Sequence, residues 1–545
     1  MVSVLLVKKV FDLIIKGGTV VDGTGNPWFK ADIAVTKDKI VKIGNLNSDK
    51  ADEIIDATGL IVSPGFIDMH SHSDISFLIN PKAESKIMQG VTTEVIGNCG
   101  FSAAPLLDET IHLVKEEIEA YYKDAKLDLD WRSFNEYLRK LEEKGVAVNV
   151  ASLVGQGTVR LAVMGIEDRS PSTSEMNKMK ELVEEAMKSG AFGLSTGLIY
   201  PPGCYTKTDE IVELCKIVAK YGGIYTSHIR GEGETLIEAV KEAIEIGEKA
   251  NIPVEISHHK AGGRENWGKV KITLKMIEEA RKRGIDITCD VYPYVAASFG
   301  LSSMLPPWIH EGGTEKLLER LKNRKIRDRI KREMLKGLPG WYSPLRAAGW
   351  DKTIIACCPK NKKFEGKSVL DISREEGLDP FDFAFNLLIE EEGAVSVVRF
   401  VLNEKDVIEV ISHPVSMIGS DGRALSPHGI LGEGKPHPRS YGTFPRVIAR
   451  YVRKKGVLTL EEAIRKMTSA AARKLGLWNR GIIRPNMYAD LVIFDFNEIE
   501  DLATFENPHQ FPKGIKYVIV NGKIVVKEGK HTGVLAGKVL RKNKR

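Results

Sequence analysis

Three things are scarce in this chain. Only six of 545 residues are cysteine, too few for a disulfide framework in a chain of this length. No apolar run is long enough to cross a bilayer. The N-terminus, Met1 to Lys16, is apolar but carries lysines inside the run, so it lacks the ordered regions of a secretory leader. Nor is there an excess of charge. The formal net charge is only +6, and lysines and arginines alternate with acidic residues rather than forming a basic tract. No nucleic-acid-binding module is legible, and the basic run from Lys538 to Arg545 reads as a solvated tail. The glycine pairs Gly155-Gln156-Gly157 and Gly231-Glu232-Gly233 fall short of a nucleotide fingerprint. With these absences a cytoplasmic protein with no membrane segment and no nucleic-acid partner is the expectation.

What is present is a core-forming composition, 43% hydrophobic and 28% charged. Residues 11 to 60 are short alternating segments broken by Gly and Asp, and Ala489 to Asp495 and Tyr517 to Val526 repeat that style. Each end is too short to bury a core alone. The expectation is therefore one small β-sandwich domain assembled from both termini, residues 1–60 with 480–545, around a middle of 61–479.

In that middle, apolar strand-like runs alternate with charged segments of helical period, such as Glu175 to Ser189, Asp209 to Lys220, Glu234 to Ala250 and Leu274 to Lys282. The runs begin at Leu60 to Ile67, Gly90, Val146, Ala191, Gly223, Ile252, Ile285 and Val415. Eight strands alternating with helices predict an α/β fold, a (β/α)8 TIM-like barrel. The interval from Asp290 to Asp421 exceeds one β-α unit. It predicts an insertion between strands seven and eight, with 295–345 placed as a lid at the barrel mouth.

The polar residues fall at the predicted C-terminal strand ends: His70 and His72 on the first, Cys99 on the second, His228 on the fifth, His258 on the sixth and Asp421 on the eighth. His70 and His72 share one side of an extended chain. A barrel gathers such ends into one ring. Any one of these could be an ordinary packing residue; all six at strand ends favour a metal centre. Imidazoles, a thiolate and a carboxylate suit zinc better than magnesium or calcium. Zinc generates a nucleophilic water and polarises a carbonyl. A nearby aspartate can then carry the proton to a leaving nitrogen. The chemistry indicated is amide hydrolysis without a protein nucleophile.

Gly65-Phe66-Ile67-Asp68-Met69-His70-Ser71-His72, the histidines ending strands five and six, Asp421, and the Thr468 to Leu477 return into Ala489-Asp490-Leu491-Val492 resemble the amidohydrolase superfamily. Many members carry a carboxylated lysine at the end of strand four, where this chain has Ser195-Thr196-Gly197-Leu198. Cys99 within Gly97-Asn98-Cys99-Gly100, Tyr221 to Arg230, Ile256 to Lys260 and Asp290 to Tyr294 are instead similar to the D-aminoacylase (N-acyl-D-amino-acid deacylase) family. That resemblance implies a tightly held Zn2+ on Cys99, His228 and His258. It implies a weaker second position at His70 and His72, with Cys99 placed to bridge, and Asp421 as general base and acid. It also implies that Arg439, Tyr292 and Ser298 hold the substrate carboxylate. For Arg439 the chemistry agrees, since a guanidinium fork matches a carboxylate. His259 and Lys260 have no assigned role; packing, or hydrogen bonding behind a ligand, is expected of them rather than metal binding. The expected activity is hydrolysis of N-acyl-D-amino acids, or of dipeptides ending in a D-residue. The alternatives are a cyclic-amide hydrolase of the hydantoinase or dihydroorotase type, which the absent strand-four lysine disfavours, and a non-catalytic metal-stabilised scaffold, to which Asp421 would be of no use.

Overall fold

The computed structural model describes residues 10–122 and 125–542. Residues 1–9 and 543–545 of the expected terminal domain lie outside them, as does the end of the basic tail. Eight parallel strands form the barrel: β1 (Phe66–Asp68), β2 (Val91–Ile96), β3 (Asn149–Ser152), β4 (Gly193–Gly197), β5 (Ile224–His228), β6 (Val254–Ile256), β7 (Ile287–Val291) and β8 (Ser416–Ile418). Successive strands pair in parallel from β1 to β3 and from β4 to β8. The Phe192 N–H on the Ser152 carbonyl joins the two sets, and the parallel bridge between Ser71 and Gly422 closes the ring. Nearly every strand residue is buried, as expected where helices cover one face and the barrel interior the other.

The outer helices follow from their sequence. Thr173–Lys188 opens with a capping box, in which Ser172 accepts from the Glu175 N–H while Glu175 reaches back to Ser172. Such caps contribute about 1 kcal/mol. Leu236–Ala250 buries Leu236, Ala239, Val240, Ala243, Ile244 and Gly247 on one face, and Asn251 ends it in the left-handed region. A Cβ on Gly247 would sit 2.6 Å from the Val254 side chain, so the helix packs closely onto β6.

Two further sheets stand beside the barrel. One orders Lys39–Gly44, Asp32–Thr36, Val10–Lys16 and Lys50–Asp56. The other runs from Lys530–His531 through Lys523–Lys527, Ile515–Val520, Leu491–Phe494 and Ile61–Pro64 to Thr19–Val20 and Phe29–Lys30. Leu13, Ile33, Val35, Ile55, Val62, Leu491 and Ile519 form the core between them. The apolar run read as one barrel strand thus divides. Ile61–Pro64 pairs antiparallel with Leu491–Phe494, whereas Phe66–Asp68 enters the barrel. Gly65 lies at the division, and a Cβ there would collide with the Thr92 side chain.

The excursion expected over 295–345 is one part of a larger body. Ala297–Gly300, Ser396–Arg399 and Thr353–Cys357 form an antiparallel sheet with Ser396–Arg399 in the centre. Around it stand the helices Thr314–Leu321, Arg324–Lys336, Val369–Glu375 and Pro380–Glu390. It has its own core, including Met304, Leu317, Ile330, Ile355, Phe385 and Leu388. Because it leaves from the C-terminal end of β7, it stands at the barrel mouth.

Candidate metal centre

The loop after β2 carries Cys99 in a conformation that has to be held. Gly97, Cys99 and Gly100 have φ of 78°, 53° and 78°. Such backbone is costly for a residue with a Cβ and persists only where its surroundings enforce it. Ser195 on β4 supplies that support: its hydroxyl donates to the Gly97 carbonyl and accepts the Gly100 N–H at 3.0 Å. A Cβ on Gly197 would strike the Cys99 carbonyl. The small residues at the end of β4 thus make room for the cysteine loop. His258 and Asp421 are also left-handed, at 36° and 51°.

Two donor groups meet at Cys99. The first is Cys99, His228 and His258, with the thiol sulfur 3.7 Å from His228 Nδ1 and 3.5 Å from His258 Nε2. The second is His70, His72, Cys99 and Asp421. There the sulfur is 3.3 Å from His70 Nε2, and Asp421 Oδ1 is 3.0 Å from His72 Nε2 and 3.5 Å from His70 Nε2. All five residues expected to ligate are therefore brought together.

The spacing of the first group fits a zinc ion. Tetrahedral zinc, with bonds of about 2.3 Å to sulfur and about 2.0 Å to nitrogen, puts those ligand atoms roughly 3.5 Å apart. Three protein donors, one of them a thiolate, also match a catalytic zinc that keeps a fourth position open.

Behind the donors stand two carboxylates that the sequence did not single out as supports. Glu232 Oε1 lies 3.0 Å from His258 Nδ1 and 2.5 Å from Lys260 Nζ, with Lys260 and His258 only 2.6 Å apart beside it. Asp290 places one oxygen 3.3 Å from His70 Nδ1 and accepts the His258 N–H with the other at 2.9 Å. A carboxylate on the far nitrogen turns the near one toward a metal. Under β1, Lys86 joins Asp68 at 2.6 Å and Glu94 at 3.4 Å, and Asp68 accepts from the Ser420 N–H, fixing β1 to the turn before Asp421. His259 is no ligand: it bonds Thr273 at 2.8 Å, and burial drives it down to about 3.

Charge is distributed unevenly. Burial alone would raise the Cys99 thiol, but His70 and His258 beside it hold it well below the ordinary value, so it stands as thiolate. Burial lowers His228, leaving a neutral donor. Burial and Lys260 also push His258 down, but Glu232, Asp421 and Cys99 bring it up to about 9. Burial would raise Asp421, yet Arg439 and His258 hold its carboxyl well below the usual range.

Asp421 faces both ways. While Oδ1 addresses the histidines, Oδ2 is 2.7 Å from Arg439 Nη1. That contact is close but poorly aligned, and Nη1 lacks a well-aimed hydrogen-bond acceptor. The Arg439 guanidinium lies 5.0 Å from the Tyr292 ring centre and Lys260 5.6 Å from it, and among the described residues the buried Tyr292 hydroxyl has Arg439 beside it but no well-aligned hydrogen bond. Ser298 enters through its main chain, its carbonyl accepting Arg439 Nη2 at 3.3 Å. Tyr200, absent from the sequence reading, packs edge-on against His228 with ring centres 4.9 Å apart. Burial and the nearby Cys99 charge keep its phenol protonated, so it remains a donor. Its only sequence signal was its place just past β4.

Comparison with known proteins gives a consistent picture. A family model described as the amidohydrolase family matches residues 53–301 and 372–526, leaving out much of the insertion. The chain is 38% identical to a D-aminoacylase of Alcaligenes xylosoxydans xylosoxydans, over 97% of each chain. It is similar to the N-acyl-D-glutamate deacylase of Bordetella bronchiseptica, solved with zinc and a phosphonate mimic of the tetrahedral intermediate. That match has a TM-score of 0.81 and 32% identity, covering 98% of this chain and 100% of that one. A D-aminoacylase structure described as having a binuclear metal centre, with one-metal activation and second-metal attenuation, matches at a TM-score of 0.81 and 37% identity, covering 97% and 100%.

Proposed function

Since the chain belongs to the amidohydrolase family, we propose that it hydrolyses the amide bond of N-acyl-D-amino acids, including dipeptides ending in a D-residue, in a zinc-dependent reaction. The observation that carries this reading is the single carboxylate of Asp421, which stands between a thiolate–imidazole donor set and a cationic cradle. The D-aminoacylase and D-glutamate deacylase relatives supply the stereochemical class.

Cys99, His228 and His258 would hold one Zn2+, and His70 and His72, sharing Cys99, a weaker second. Zinc supplies Lewis acidity, lowering the pKa of water to about 7 and polarising the scissile carbonyl. The remaining steps belong to the chain. Arg439, Tyr292 and Lys260 receive the substrate carboxylate, the Tyr292 hydroxyl and the Arg439 guanidinium lying side by side at its place of entry. Asp421, anionic at neutral pH, takes the proton of the attacking water and returns it to the departing amine. Tyr200 donates to the oxygen that gains charge. A cyclic amide without a free carboxylate would leave the cradle idle.

The β domain, 1–60 with 480–545, serves in this reading as a scaffold beside the barrel of 61–479. The insertion acts as a lid whose strand at Ser298 touches Arg439. The compartment is the cytoplasm; no helix among the described residues is long and apolar enough to cross a membrane. To test the activity, Asp421→Asn is assayed on paired N-acetyl-D- and N-acetyl-L-amino acids with zinc measured alongside. Turnover of the D-series should collapse with zinc retained, and surviving turnover would remove Asp421 from its role.

A further inference from the structure

His437 makes two hydrogen bonds that together fix its protonation. Its Nδ1 accepts the Arg439 main-chain N–H at 3.0 Å, so that nitrogen carries no proton. Its Nε2 lies 3.0 Å from the Ala296 carbonyl and, as the protonated nitrogen of a neutral ring, donates to it. The ring is 3% exposed. It is wedged edge-on between Tyr294, at 5.1 Å, and Phe505, at 5.0 Å. Burial and the Arg439 charge hold it well below the ordinary histidine value, so the neutral form is kept.

The two partners belong to different bodies. Ala296 leads directly into Ala297–Gly300, the strand by which the insertion leaves the barrel. Arg439 begins the helix Arg439–Arg446 beside Asp421. A second rung runs parallel to the first, from Arg439 Nη2 to the Ser298 carbonyl at 3.3 Å. Phe505, from the segment between Leu491–Phe494 and Ile515–Val520, closes the other side. Barrel, insertion and terminal domain therefore converge on one imidazole whose hydrogen bonds go to Ala296 and Arg439 rather than to the donor set or Asp421.

We propose that His437 is a positioning residue that sets Arg439 against the insertion, so that carboxylate recognition depends on the insertion being docked. The inference rests on the reading that Arg439 binds the substrate carboxylate. The imidazole is suited to this by its span: it satisfies a local N–H two residues on while reaching across to another segment. An asparagine at 437 would keep the local bond, since its side-chain oxygen accepts the N–H two residues on, but is too short to reach Ala296.

The experiment uses the zinc-loaded full chain and two substrates, an N-acetyl-D-amino acid and its C-terminal carboxamide. Arg439→Ala tests the underlying reading and should abolish the preference for the carboxylate. His437→Asn and His437→Phe should each raise KM for the carboxylate substrate by about tenfold, with kcat within roughly threefold. Zinc content and kinetics on the carboxamide should be unchanged. Wild-type KM in the asparagine variant would overturn the proposal, because the local turn alone would then suffice. Equal losses on both substrates would also overturn it, marking a general structural role. If Arg439→Ala leaves the preference intact, the carboxylate reading itself fails. Should the phenylalanine variant not fold, the asparagine variant decides alone.

Discussion

Cys99, His228 and His258 are 5%, 4% and 2% exposed, whereas the His72 side chain is 24% exposed. His258 is backed by Glu232 and by Asp290 at its main chain, but His72 addresses Cys99 and Asp421, which Arg439 holds from the other side. His70 of the second group is as buried and is backed by Asp290, so the groups differ at His72; the first has His258 aimed by Glu232 before any ion arrives. The other borrows the carboxylate that the chemistry requires, so an ion drawing on Asp421 would compete with proton transfer. The contrast sets His72, the more exposed of the strand-end pair in His70-Ser71-His72, apart from the buried donors.

The largest effect expected from this contrast is at the shared atom. Cys99→Ala should empty both groups, with zinc content near zero and activity loss well beyond the ~10–100-fold typical of outer contacts. Asp421→Asn should cost roughly 10²–10⁴-fold in kcat, the range of general acid–base catalysis, with one zinc retained on elemental analysis. Loss of that zinc would place Asp421 in the tight site and break the comparison. Glu232→Gln should weaken zinc binding by about 10–100-fold in a chelator competition, through His258 and the more distant His228. Ser195→Ala, which frees the Cys99 loop, should speed zinc release by about tenfold on the same grounds. The smallest effect belongs to His72→Asn: one zinc equivalent should stay, and turnover should change by no more than about the 10-fold lower limit for an outer contact. If His72→Asn and Glu232→Gln lose zinc equally, the two groups are not different in kind.

The barrel was legible because its strands are apolar on both faces and its spacing is regular, and the donors because each sits at a strand end. Their supports were not. Glu232 lies between two glycines in a loop, and nothing local distinguishes it from a solvated acid; only the fold of β5 against β6 brings it to His258 and Lys260. Asp290 stood at a strand end with no partner in sequence, because its two contacts lie 220 and 32 residues away. The division of the first apolar run at Gly65 was hidden for a related reason. Both halves are strands, and only their partners, Leu491–Phe494 for one and β2 for the other, tell them apart. The sheet within the insertion was hidden because it closes through Ser396–Arg399, far from where it opens.

The β domain has a consequence for the order in which the chain can fold. One of its sheets joins Thr19–Val20 and Ile61–Pro64 to Leu491–Phe494 and Ile515–Val520, and the last segments are made some 400 residues after the first. A chain emerging from the ribosome at about 5–20 residues per second would leave those early apolar strands without their partners for roughly 20–80 seconds. During that wait their unpaired edges are open to other chains. The barrel can close first, so its assembly carries the two ends together. A destabilised barrel should therefore show itself as aggregation of newly made protein before any loss of activity in molecules that have already matured.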